Sequence, residues 1–192
     1  MARNVEFNEE EAIQKAMEVF WAKGYNSTTL RDLTTAMKIN SSSLYNTIGD
    51  KHELFIRCVQ HYSDQKKKDY QKRMATSESR FTILVNYIHD AVNVIINGKN
   101  SCMAIRTAFE LATDDQRVKS ILKADSDYSY RFMQTLIKGA MEEGKIAKDE
   151  DPEVLAEYFV SIYTGWNESY ILHKDADRIR KMADYFIKQI SK

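Results

Sequence analysis

Residues 24–51 read Gly24-Tyr-Asn-Ser-Thr-Thr-Leu-Arg-Asp-Leu-Thr-Thr-Ala-Met-Lys-Ile-Asn-Ser-Ser-Ser-Leu-Tyr-Asn-Thr-Ile-Gly-Asp-Lys51. Ser27 or Thr28 can cap a helix, because a hydroxyl there accepts from a backbone N–H that has no partner inside the helix. Leu30, Leu33, Ala36 and Met37 recur at helical spacing and give that helix one buried side. Lys38-Ile39 predicts a tight turn with Ile39 as its apolar plug, and Asn40 caps a second short helix. That helix turns Leu44 and Ile48 inward and leaves Ser41, Ser42, Ser43, Asn46 and Thr47 outside. Two short helices joined by a tight turn form a helix-turn-helix. A short rod with small hydroxyl side chains can approach a major groove closely and meet base edges or phosphates there.

Working outward, Ala16-x-x-x-Phe20-x-x-x-Gly24-Tyr25 is followed by Thr28-Thr29-x-x-Asp32-Leu33, Ser43-Leu44-Tyr45 and Lys51-x-x-Leu54. In order and spacing this series resembles the N-terminal signature of the TetR family of transcriptional repressors, over about residues 8 to 62. The chain departs from the pattern at Ser41-Ser42-Ser43, where the family often has a basic residue and a glycine. It departs again at Ile48, where an aromatic residue is usual. The resemblance implies that the second short helix enters the major groove. Ser41, Ser43 and Thr47, with Ser42 beside them, then become candidates for base-edge contacts. Thr28, Arg31, Tyr45 and Lys51 become candidates for phosphate contacts, which fix register while short side chains in the groove read sequence.

With 192 residues the chain can bury a substantial core. One proline and six glycines are few. Both residues disfavour helix interiors, so their scarcity predicts an all-α chain of about nine helices with short connections and no sheet. No apolar run approaches the roughly 20 residues a membrane helix needs. Residues Met1 to Glu11 lack a signal peptide's apolar core, so a cytoplasmic location is expected. Cys58 and Cys102 have apolar neighbours on predicted helices and read as buried thiols in a reducing compartment. The formal net charge is zero, so any nucleic-acid contact must rely on local cations.

Helical periodicity continues along the chain. Asn8 and Glu9-Glu10-Glu11 start a first helix that Gly24 stops. Asp50 caps a long helix that carries Leu54, Phe55, Cys58, Val59 and Tyr62, then the basic run Lys66-Lys67-Lys68-Asp69-Tyr70-Gln71-Lys72-Arg73, which reads most simply as a solvated surface. A domain boundary is expected within residues 62 to 76. Residues 1–50 would form a helix-turn-helix domain, a helix from about 51 to 74 the link, and 75–192 a second helical domain. Beyond Ser77, apolar stripes mark a fifth helix ending at Asn97-Gly98, a shorter one from Ser101, and a long one capped by Asp114 or Asp115 and ended by Glu143-Gly144-Lys145. Asp151-Pro152-Glu153 then starts a helix by a capping carboxylate, proline at the first helical position and an acid in the first turn. The last two helices are apolar over more than one face, which predicts that a second chain covers the excess.

No catalytic set emerges. His52, His61, His89 and His173 lack metal-binding helical spacing, and no glycine-rich phosphate loop is present, so neither enzyme activity nor a cofactor or metal is expected. The resemblance implies a regulatory C-terminal domain with a ligand cavity and a homodimer joined through the last two helices. Tyr87, Met103, Phe109, Phe132, Met133, Tyr163 and Trp166 are the candidates to line that cavity, with His89 a possible polar handle. The expectation is a ligand-responsive regulator, a repressor, binding a palindromic double-stranded operator. The alternative is an all-helical small-molecule-binding or protein-interaction module without DNA binding.

Overall fold

A computed structural model describes residues 8–98, 100 and 102–192. Among them are nine helices and no strand. They are α1 (Glu9–Lys23), α2 (Leu30–Met37), α3 (Ser41–Thr47), α4 (Lys51–Met74), α5 (Arg80–Asn97), α6 (Met103–Leu111), α7 (Gln116–Glu142), α8 (Pro152–His173) and α9 (Ala176–Ile190). No helix among the described residues is long and apolar enough to cross a membrane.

Local chemistry sets most helix starts. The Asn8 side chain accepts from Glu11 N at 3.2 Å, and Asn40 accepts from Ser43 N at 2.7 Å. Asp50 accepts from Glu53 N at 2.8 Å. Of the two acids proposed to open α7, Asp115 serves: its Oδ1 accepts from Arg117 N and Val118 N at 2.9 and 3.1 Å. Asp151 accepts from Glu153 N and Val154 N ahead of Pro152. Each bond satisfies an amide that the first helical turn leaves open.

At α2 the cap is Thr29, not Ser27 or Thr28. Thr29 and Asp32 form a reciprocal capping box, with Thr29 N donating to Asp32 at 2.9 Å and Asp32 N donating to the Thr29 hydroxyl at 3.1 Å. Thr28 is instead buried, its hydroxyl donated to Gly24 O at 2.6 Å. The expected start of α6 at Ser101 lies outside the described residues; its first described helical residue is Met103. Cys102 therefore precedes α6 rather than sitting on a helix, and it is half-buried, whereas Cys58 is fully buried on α4.

The described chain divides into two compact units. The first takes the described residues up to Lys66 together with Met103–Leu122; the second takes Lys67–Cys102 and Lys123–Lys192. Helices α4 and α7 each contribute residues to both. The first unit has a core of Ala16, Met17, Phe20, Leu33, Leu44, Leu54 and Phe55, joined by Met103 and Val118 from the later segment. The second has a core that includes Ile83, Leu84, Ile88, Leu136, Ile137, Phe159 and Ile179. Burying each side chain of this size contributes about 1.5–3 kcal/mol.

Candidate nucleic-acid interface

Helix α3 has only seven residues, too short to persist by its own hydrogen bonds. Leu44, with no exposed surface, and Ile48, just past its end, anchor it to the first unit's core. The turn before it is sharp: Lys38 takes the left-handed conformation with φ 57°, and Ile39 N donates to Thr34 O at 3.2 Å. The outward side of α3 then carries Ser41, Ser42, Tyr45, Asn46 and Thr47, all exposed and none charged. Ser43 is half-buried, and its backbone N–H is held by Asn40.

Cations lie around this rod. Arg31 is exposed in the first turn of α2, and Lys38 is exposed at the turn. Lys51, in the first turn of α4, places its Nζ 4.4 Å from the centre of the Tyr25 ring. Tyr25 packs in turn on Phe20 and Phe55, with ring centres 6.2 and 4.9 Å apart. Partial burial, followed by Asp50 and Asp115, pushes the Tyr25 phenol above its ordinary range. Lys23 reaches Asp32 at 2.6 Å and ties the end of α1 to α2. That hydrogen bond, and those from Thr29, hold the Asp32 carboxyl well below the usual carboxylate range.

Of the candidate DNA-facing residues, Ser41, Ser42, Tyr45 and Thr47 lie together on the exposed side of α3, with Arg31 exposed on α2 and Lys51 at the start of α4. Thr28 does not join them; its hydroxyl is spent inside the loop. Asn46, expected outside, is exposed, though it is not among the contact candidates, and the structure adds Lys38 to the exposed surface. Their exposure follows from the register that buries Leu44 and from the turn geometry, so both were within reach of sequence reasoning.

The candidate cavity residues divide between the units. Tyr87, Phe132, Met133, Tyr163 and Trp166 belong to the second unit. Tyr87 meets Phe132 and Phe159 with ring centres 5.2 and 6.0 Å apart; Phe159 meets Tyr163 and Trp166 at 6.3 and 6.1 Å. Tyr70, which is not among the cavity candidates, stacks on Phe132 at 4.1 Å, and its hydroxyl lies 2.9 Å from that of Tyr87. Burial first, then Tyr70, pushes the Tyr87 phenol well up. Met103, by contrast, packs in the first unit's core, and Phe109 on α6 is 81% exposed. His89 is exposed and pairs with Asp184 at 3.4 Å. A cleft of about 310 Å³ opens beside Tyr70, Tyr128, Phe132 and Arg131. No cluster of three metal-ligating side chains occurs among the described residues.

Residues 12–58 match the family described as bacterial regulatory proteins, tetR family, and residues 82–186 match the tetracyclin repressor-like C-terminal domain. The chain is 28% identical over 162 residues to YezE of Bacillus subtilis (strain 168), an uncharacterized HTH-type transcriptional regulator; the match covers 82% of this chain and 83% of that one. It is 25% identical over 166 residues to the HTH-type transcriptional repressor ComR of Escherichia coli (strain K12), covering 85% and 79%. Among solved structures, a cysteine mutant of the TetR-family regulator CifR complexed with 26 bp double-strand operator DNA superposes with a TM-score of 0.82 at 24% identity, covering 97% and 98%. The reduced form of E. coli NemR superposes at 0.85 with 10% identity, covering 95% and 96%.

Proposed function

The chain belongs to the TetR family and is a DNA-binding transcriptional regulator, and from that premise we propose a homodimeric repressor that a small molecule releases from a palindromic operator. The observation that carries this reading is the exposed, uncharged, hydroxyl-rich side of α3, mounted on buried Leu44 and flanked by Arg31 and Lys51. Ser41, Ser42, Asn46 and Thr47 face base edges. Arg31, Tyr45 and Lys51 hold phosphates and set the register. Two copies of α3 meet successive major-groove faces about 34–36 Å apart.

Pairing uses α8 and α9. Val154, Tyr158, Ile171, Leu172 and Tyr185 are more than half exposed in the single chain. A groove of about 610 Å³ beside Tyr158, Ile162, Trp166 and Tyr185 accepts side chains of the second copy. The effector site lies among Tyr87, Phe132, Tyr163 and Trp166, where apolar rings surround a few phenol hydroxyls, the composition that small-molecule sites share. Helix α4 runs from Lys51 in the first unit to Met74 in the second, so it is the element through which an effector shifts the reading heads. Differential affinity of the effector for the two states sets the coupling, on the order of 1–3 kcal/mol.

The test is a salt-dependent titration of a duplex selected by the wild-type chain from a randomised library. Lys51→Ala is expected to weaken binding across sequences and to lower the slope of log affinity against log salt by about one. Thr47→Ala is expected to change base preference and leave that slope alone. The assignment is lost if both variants bind like wild type.

A further inference from the structure

The loop between α1 and α2 leaves backbone groups that its own neighbours in sequence do not satisfy. Gly24 N donates to Phe20 O at 2.7 Å, Thr28 N to Tyr25 O at 3.2 Å, and the Thr28 hydroxyl to Gly24 O at 2.6 Å. The carbonyls of Trp21 and Ala22 lie in the last turn of α1, where the helix runs out of its own amides. The N–H groups of Tyr25 and Asn26 still need an acceptor. Helix α6 serves both pairs. Arg106 Nη1 donates to Trp21 O at 3.0 Å and to Ala22 O at 3.1 Å. The Glu110 carboxylate accepts from Tyr25 N at 3.1 Å and from Asn26 N at 2.8 Å.

Gly24 gives an independent sign of the same contact. A Cβ placed there would lie 2.8 Å from Glu110 Oε2 and 3.0 Å from Arg106 Nη2, so the loop backbone presses directly on this pair. Arg106 and Glu110 are four residues apart on α6 and therefore share one face. The cation meets carbonyl oxygens and the anion meets amide protons, which makes all four bonds charge-assisted. The loop they hold leads directly into Thr29, the cap of α2, and Arg31 in its first turn.

We infer that Arg106 and Glu110 are positioning residues for the DNA-reading helices, an inference that rests on the DNA-binding role given above. By closing the α1–α2 loop they fix the bearing of α2, and hence of the turn and α3, before DNA arrives. Without them the loop samples more conformations, and DNA must order it on binding. Both side chains are engaged with the loop backbone, so their loss is expected to lower affinity without changing the number of counterions released.

The experiment uses the full chain and the duplex selected by the wild type. Glu110→Ala is expected to lose about tenfold in affinity, the scale of a lost charge-assisted pair of bonds. Glu110→Gln, which keeps one carbonyl oxygen, is expected to lose less. The salt slope stays at the wild-type value in both, whereas Arg31→Ala lowers it by about one. Amide exchange at Tyr25 and Asn26, measured without DNA, accelerates in Glu110→Ala and only partly in Glu110→Gln. Should Glu110→Ala fail to fold, Glu110→Gln and Arg106→Lys carry the test, each with a smaller loss at unchanged slope. Faster exchange with unchanged affinity overturns the inference, since the clamp would then be structural only. A rise in affinity overturns it too, because the carboxylate would be acting as a charge that repels DNA. If the wild-type chain selects no duplex, the DNA-binding role fails first and takes the positioning role with it.

Discussion

Replacing Leu44 with alanine tests how α3, the proposed reading helix, is held. Leu44 is the buried residue of α3 and has no exposed surface. Its neighbours on the helix are three serines, Tyr45, Asn46 and Thr47, which contribute little to the core. Removing a buried leucine side chain costs about 2.7–5 kcal/mol, from lost transfer energy plus the cavity left behind. A seven-residue helix has no reserve of its own to offset this. About 3 kcal/mol is therefore expected to appear as local loss of α3 before the rest of the first unit unfolds. If DNA must restore α3 before it can bind, the same free energy is subtracted from binding, a loss of roughly 100-fold in affinity. Urea unfolding followed by circular dichroism measures the stability change, and titration of the selected duplex measures the binding change. Ser42→Ala on the exposed side serves as control, with stability expected within about 0.5 kcal/mol of wild type. A Leu44→Ala protein that binds the duplex like wild type would refute the reasoning, because α3 would then not depend on its anchor.

Thr29→Ala removes the hydroxyl half of the capping box and is expected to cost about 1 kcal/mol in urea unfolding; no change would mean that Asp32 alone caps α2. The carboxyls of Asp32, Glu53 and Asp115 are held below their ordinary range by Lys23, Arg117 and His52 respectively. A lowered folded value means that the stability they contribute is present above about pH 4 and is lost as pH falls through the folded values. Melting temperature should drop in that acid range and drop less steeply in Asp32→Asn; equal acid slopes would count against the Lys23 and Thr29 contacts. Tyr158→Arg with Tyr185→Arg places charge on the exposed faces of α8 and α9 and is expected to give monomers in analytical ultracentrifugation with helix content retained. A dimer that persists in the double variant would move the proposed interface elsewhere.

The helix starts at Asn8, Asn40, Asp50 and Asp151 were legible because a cap depends on residues within one turn of chain. The start of α2 was misread among three neighbouring hydroxyls. Thr29 has an acid three residues on at Asp32, a signal present in the sequence, whereas the engagement of Thr28 with Gly24 O is a matter of loop geometry. The exposed side of α3 was legible for a similar reason, since burying Leu44 and Ile48 fixes which residues face out.

The candidate cavity was less legible. Helical spacing marks Met103 and Phe109 as apolar in the same way as Phe132 and Trp166, but it does not say which element covers each face. Tyr70 falls within the basic run of α4, which reads as a solvated surface, yet it stacks on Phe132 at 4.1 Å.

The sequence by itself determined an all-helical chain, the helix-turn-helix near its N-terminus and the hydroxyl-bearing surface of α3, because these depend on spacing and capping within a few residues. Only the tertiary structure placed residues 103–122 in the same compact unit as the first helices, and brought Arg106 and Glu110 to a loop some 84 or 85 residues earlier. The physical reason is that Trp21, Ala22, Tyr25 and Asn26 use backbone groups, which every sequence carries alike. Their need for partners has no signature in residue type, and only the folded path of the chain shows which side chains meet it.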